Sequence, residues 1–191
     1  MACLAMHMSC AYQYLKHNSS EETEDFIKGT IAPDLSNNKL LSHFGCEEEA
    51  KTVKQMLTYK IDIVKAAKNI KLNCSYNKAY FLHLLCDDLF YNFIYSPNFE
   101  EIGIDKIKQY LYNDYDTTTF YLINKYKINL PKEVCAIAKM REGESKILPH
   151  KVADLFINHI SKINLLDAHN QIIKNVEDFR HKFLSQLKQN I

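Results

Sequence analysis

Apolar positions recur at helical spacing along most of the chain. Leu4, Met8, Ala11, Tyr12 and Leu15 form one stripe and predict an amphipathic helix over residues 2–15. Ser19-Ser20-Glu21-Glu22 has a capping-box pattern that opens a short second helix; Phe26 and Ile27 point inward, and Gly29 supplies the stop. Residues 29–45 then read as a long connection, rich in turn formers but apolar at intervals. Val53, Met56, Leu57, Ile61, Val64 and Ala67 predict one or two scaffold helices over residues 47–71. A start signal at Asn73–Asn77 precedes a strongly apolar helix around residues 80–92, ended before Pro97. Residues 99–126 are helical in tendency, with a break predicted at residues 112–119. A short helix over 131–140, a hydrophilic loop over 141–145, a helix opened by Pro149 and a final amphipathic helix over 168–189 complete the chain. The expected fold is an all-α, single-domain helical bundle spanning residues 1–191.

Composition supports that reading. With 47% hydrophobic and 12% aromatic residues but four Gly and four Pro in 191 residues, the chain can build a sizeable core of helices joined by few turn residues. The formal charge is +1, with Lys scattered beside Asp and Glu, so no basic face tracks a phosphate backbone and polynucleotide binding is not indicated. Six cysteines, at positions 3, 10, 46, 74, 86 and 135, contain no C-x-x-C pair and fall mostly in apolar stretches, which suggests a reducing compartment. Residues 1–11 lack a basic leader and are interrupted by His7. No segment is long and apolar enough for stable membrane insertion, so the expected location is cytoplasmic.

The chemistry concentrates where polar residues interrupt apolar runs. His83 and Asp87 stand at i,i+4, about 40° apart on one helix face, whereas Asp88 points elsewhere. Phe81, Leu82, Leu84, Leu85, Leu89 and Phe90 surround the pair, so an ionised Asp87 needs a hydrogen bond, an ion partner or a metal. From this stretch alone a metal site and a neutral core His–Asp pair are equally open. Pro33 places Asp34 on a stiff segment, and Gly45 allows a reversal just after His43, so the connection can present two more ligands; as ordinary loop residues they would be a cap and a surface histidine. His7 borders the stripe of the first helix. Asp114 and Asp116 read as caps, and His150 and Asp154 form a second i,i+4 pair. His17, His159, His169 and His181 lie among polar residues and read as surface positions.

Taken in order, His7, Asp34, His43, His83 and Asp87 lie in Gly-Thr-Ile-Ala-Pro-Asp, Ser-His-Phe and His-x-x-x-Asp settings. This resembles the zinc-dependent phospholipase C superfamily, particularly its small intracellular bacterial members, with the fungal single-strand-specific nucleases as more distant relatives. The resemblance covers roughly the first hundred residues. It implies an α-helical bundle in which Asp34, His43, His83 and Asp87 match a four-residue metal site and His7 matches an early histidine holding a neighbouring metal. The amino-terminal tryptophan ligand of extracellular relatives has no counterpart, since the chain contains no Trp. Of the later ligands, His150-x-x-x-Asp154 is the nearest substitute.

Two imidazoles and two carboxylates suit a divalent ion, zinc first, with iron, manganese or nickel also accommodated. Such an ion lowers the pKa of a bound water from ~16 to ~7 and steadies charge on a phosphoryl oxygen, which points to hydrolysis of a small-molecule phosphoester. Asp34 is the candidate catalytic residue, orienting or deprotonating the attacking water through an oxygen that does not touch the metal. An HD-type phosphohydrolase ranks below, because no His here is followed by Asp. The other alternative is a non-catalytic helical metal-binding or interaction protein whose second metal site has eroded.

Overall fold

The computed structural model describes residues 2–45, 60–102, 104–130, 143 and 145–189, all helix, turn and loop apart from an isolated bridge between Gly45 and Ile61. In chain order the helices are α1 (Leu4–His17), α2 (Thr23–Leu35), α3 (Lys39–Ser42), α4 (Ile63–Asn69), α5 (Ser75–Phe90), α6 (Ser96–Ile102), α7 (Ile104–Tyr126), α8 (His150–Ile160) and α9 (Leu165–Lys188). A π-helical turn, Tyr91–Tyr95, joins α5 to α6. The expected short helix at 131–140 and most of the expected 47–71 segment lie outside the described residues.

α5 is the centre of the bundle. Every residue from Phe81 to Phe90 is buried, the pattern of a helix covered on all sides. Its most extensive neighbour is α2, with α4 and α9 on other faces, and α1 packs on α2, α7 and α8. α1 is itself buried along Ala5–Ala11 and again at Tyr14. Two interior helices therefore run through one core, so their polar residues must find partners inside it.

The α2–α5 contact depends on Gly29. A Cβ there would lie 2.2 Å from the Tyr76 carbonyl oxygen, well inside van der Waals contact, so only glycine lets the two backbones approach this closely. The expected helix stop at Gly29 is thus corrected. α2 runs on through Pro33 to Leu35, with Glu22 as its cap accepting the Asp25 amide at 2.7 Å. Proline removes one helical donor near the end of the helix, and the Pro33 carbonyl accepts the Ser42 hydroxyl at 2.9 Å, which ties the α2 terminus to α3. Asp34 consequently sits on a helical turn rather than a loop.

The predicted break at 112–119 is also absent. α7 is continuous there because its threonines bond locally or inward: Thr117 Oγ1 lies 2.8 Å from Ser145 Oγ, and Thr118 and Thr119 are buried. Asp114 caps nothing in its own helix. Its carboxylate accepts the amides of Lys146, Ile147 and Leu148 at 2.9, 2.5 and 2.9 Å, fastening the approach to α8. The expected end before Pro97 is corrected too: the π-helical turn runs directly into α6, so the chain stays helical through Pro97.

Candidate metal centre

Four elements bring five of the singled-out residues together. α1 supplies His7, the end of α2 supplies Asp34, the residue closing α3 is His43, and α5 supplies His83 and Asp87. His7, His43, His83 and Asp87 are buried, while the Asp34 side chain keeps 21% of its surface exposed. His43 is delivered by a tight reversal in which Phe44, not the expected Gly45, takes the left-handed conformation (φ 51°). A bulky residue is rarely held there, so the surrounding packing enforces the turn that buries His43.

The ring orientations follow from backbone carbonyls. His83 Nδ1 donates to the Thr30 carbonyl at 2.7 Å, and His43 Nδ1 donates to the Lys39 carbonyl at 3.0 Å. A carbonyl only accepts, so each Nδ1 carries a hydrogen and each ring turns its Nε2 inward. These two nitrogens face each other at 3.3 Å. Asp87 Oδ2 lies 3.5 Å from His83 Nε2 and 3.6 Å from His43 Nε2, and it is buried without a hydrogen-bond partner. Asp34 Oδ1 is 3.6 Å from His43 Nε2.

Two imidazoles and two carboxylates therefore crowd together around His43 and His83. Left bare, lone pairs this close repel, and a cation, either a proton or a metal ion, resolves the conflict. Ligands ~2.0–2.2 Å from a tetrahedral ion stand roughly 3.3–3.6 Å apart, the range His43 keeps to His83, Asp87 and Asp34 and His83 keeps to Asp87. A proton can bridge one pair, whereas an ion can be shared by a group such as Asp34, His43 and His83. The donor chemistry, two imidazoles and two carboxylates, suits a divalent ion of the zinc type as well as iron, manganese or nickel.

His7 stands on the other side of His83. The two rings stack with centroids 3.7 Å apart and planes 9° from parallel, and His7 Nε2 is 3.1 Å from Asp87 Oδ1. Neither His7 nitrogen makes a hydrogen bond although both are buried. The Ala2 amide donates to the same Asp87 oxygen at 2.6 Å, so Asp87 Oδ1 is held from the α1 side while Oδ2 stays free for the centre. His7, His83 and Asp87 thus form one group with metal-ligand geometry, and Asp34, His43 and His83 form another, joined through His83.

Charge is distributed accordingly. Burial opposes ionisation of Asp87, but the neighbouring His7 and His83 outweigh it and hold its carboxyl well below the usual range. Burial likewise works against ionised Asp34, yet the neighbouring His43, His83 and His7 outweigh it and lower it to about 2. Burial depresses His83 as well, and the carboxylate of Asp87 outweighs it, so its pKa lies above the ordinary histidine value; His7 is lowered by burial and by His83. The pocket is built for net positive charge at its middle.

Other candidates are accounted for elsewhere. Asp88, adjacent to Asp87 but turned about 100° around α5, pairs with Arg180 of α9 through Nε at 3.0 Å and a second nitrogen at 2.5 Å. Asp154 accepts the hydroxyls of Tyr121 and Tyr126 at 2.6 and 2.9 Å and pairs with Lys125, and His150 stacks on Tyr121. Neither they nor Asp114 or Asp116 belongs to a group with metal-ligand geometry among the described residues. His169, expected at the surface, is half-buried, edge-on to Phe81 and bonded to the Ile70 carbonyl at 3.2 Å. The structural roles of Thr30 and Lys39 were not visible in sequence, since both act through the backbone.

No helix among the described residues is long and apolar enough to cross a membrane. No family model matches the chain, and no curated protein or solved structure matches it.

Proposed function

We propose that this chain binds one divalent metal ion through Asp34, His43, His83 and Asp87 and uses it to hydrolyse a small phosphoester. The observation that carries the metal reading is the convergence of the His43 and His83 Nε2 atoms, 3.3 Å apart, with each ring fixed by a backbone carbonyl behind it. The phosphoester reading rests on the order and type of the motifs, which resemble the zinc-dependent phospholipase C superfamily. When bound, the ion supplies Lewis acidity toward a phosphoryl oxygen and acidifies water.

The chain's own residues divide the remaining work. Thr30 and Lys39 fix the histidine tautomers, and the Ala2 amide with His7 steadies Asp87 through the oxygen facing away from the centre. Asp34 is the partly exposed member and marks the side from which water and substrate approach. A carboxyl lowered to about 2 is a poor proton acceptor, so Asp34 orients the attacking water through a hydrogen bond rather than taking its proton. Apolar α5 residues close the other sides and keep the dielectric low, which strengthens each of these interactions. The location in this reading is cytoplasmic.

A second reading, a metal-binding protein without catalysis, is favoured by the depth of the site, since His43, His83 and Asp87 are buried. Elemental analysis of protein purified without added metal, followed by rates on chromogenic phosphate esters, separates the readings. One ion per chain and metal-dependent turnover support the hydrolase. A bound ion with rates no higher than those of His83→Ala, across zinc, iron, manganese and nickel, supports the non-catalytic protein. Failure to take up any of these ions sinks both.

A further inference from the structure

The face of α5 that carries His83 and Asp87 extends beyond the metal centre. Tyr76, Tyr80, His83 and Asp87 follow one another at i, i+4, i+7 and i+11, a single stripe of that helix. At the α-helical rise, Tyr80 stands about 4.5 Å and Tyr76 about 10 Å along the axis from His83. Toward this end of the stripe a cavity of about 610 Å³ opens between α5, the α3 turn and the segment after α4. Leu41, Phe44, Ile70, Tyr76 and Tyr80 form its apolar wall, and Lys71 is the one charged residue among the described residues lining it.

The wall is mechanically joined to the centre. Tyr80 donates its hydroxyl to the Ser42 carbonyl at 2.6 Å, and Ser42 Oγ lies 3.1 Å from His43 Nδ1. Ser42 and Phe44 flank the ligand His43 on both sides, and Phe44 is the residue held in the left-handed conformation. The cavity is therefore continuous with the element that presents His43. Its apolar side chains remain open: Leu41 is 73% exposed and Tyr76 37%.

We infer that this cavity receives the organic group of the ester, and that the group is an aromatic ring. The inference rests on the proposed metal-dependent phosphoester reading. A single cation with no carboxylate in the lining matches an anionic ester, and the apolar wall matches an uncharged substituent. The Tyr76 and Tyr80 rings, 6.3 Å apart and tilted by 47°, offer faces and edges to a planar guest, the geometry aromatic pairs favour.

The test uses the metal-loaded full chain and stable phosphonates, which carry the anion but are not turned over. Phenylphosphonate, methylphosphonate and hexylphosphonate are titrated by calorimetry against wild type, Tyr76→Ala and Lys71→Ala, and metal content is measured on each. Phenylphosphonate binding at least tenfold tighter than either other probe, with the preference lost in Tyr76→Ala at unchanged metal content, is the expected result. Lys71→Ala weakens all three probes alike.

Equal affinity for phenyl and methyl probes, a preference that survives Tyr76→Ala, or no phosphonate binding to metal-loaded protein overturns the inference and leaves the metal centre standing. Hexylphosphonate binding as tightly as phenylphosphonate overturns the aromatic assignment. Absence of bound metal in wild type fails the underlying reading instead, and the metal analysis reports that separately.

Discussion

The imidazole of His7 lies flat on that of His83, 3.7 Å between centroids, while its Nε2 reaches to 3.1 Å from the Asp87 oxygen that faces away from His43. Stacking and polar contact are separable by substitution. His7→Phe preserves an aromatic face on His83 but removes the nitrogen beside Asp87. Residues that orient a metal ligand typically change affinity by about 10–100-fold when lost. The expected outcome is a metal affinity reduced by that order with the ion still bound at saturation, measured by competition with a chromogenic chelator. An unchanged affinity would reduce His7 to a packing residue.

His83→Ala removes a nitrogen common to both groups of candidate ligands. An ion that binds only the folded chain stabilises it by about 2.7 kcal/mol when free metal is a hundredfold above the dissociation constant. Wild type should therefore melt higher with metal than with chelator, whereas His83→Ala should melt at one temperature under both conditions. A wild-type protein shown to hold metal, yet insensitive to chelation in thermal melts, would count against linkage between binding and folding.

Gly29→Ala tests how far the site depends on helix approach. The added Cβ would sit 2.2 Å from the Tyr76 carbonyl oxygen, and no rotamer can relieve a clash with backbone. α2 must back away from α5. Overpacking of this kind costs about 1–3 kcal/mol or more, readable as a lower midpoint in urea. Because α2 also carries Thr30 and Asp34, metal affinity should fall in the same variant. A stable Gly29→Ala protein with full metal affinity would show that the approach is not required.

Asp114→Ala supplies the opposite control. Its carboxylate is the acceptor for three consecutive amides, Lys146 to Leu148. Losing charge-assisted acceptors and leaving buried donors bare costs about 3 kcal/mol or more, so the urea midpoint should drop clearly. Metal content in the folded protein should not change. Loss of metal at full stability would place Asp114 in the centre after all.

These residues also show what can be read from a sequence. His83 and Asp87 were legible because two polar residues at i,i+4 inside an apolar helix need partners, and that Asp88 points elsewhere followed from helical geometry alone. His7, Asp34 and His43 were legible as candidates through their motifs, and the structure places them beside the pair. Their supports were not. The Thr30 and Lys39 carbonyls act through backbone, which any residue would offer. Gly29 looked like a helix stop because glycine in sequence signals flexibility, whereas its role here is absence of a side chain against Tyr76. Pro33 and the 112–119 stretch carried turn signals that tertiary packing overrode: α2 is held by α5, and α7 is held by Asp114 and the buried threonines. Local propensity lost to burial in each case.

Asp34→Asn distinguishes a ligand that only binds from one that also handles water. The amide keeps an oxygen able to face the ion and nearly the same shape, and three other ligands remain, so the variant should retain metal with modestly reduced affinity. It loses the negative charge that lets the second oxygen hold and direct an attacking water at the partly exposed edge of the site. The rate on activated phosphate esters should fall by about 10²-fold or more, in line with the loss of a group that positions the water, while the Michaelis constant changes little. Because the Asp34 carboxyl is held at about 2, the wild-type rate should show no loss attributable to its protonation between pH 5 and 8, so a missing acid limb in that range is expected from this residue. Comparing kcat for wild type and Asp34→Asn at matched metal occupancy gives the decision. Equal kcat values would remove Asp34 from the chemistry and leave it as a ligand alone.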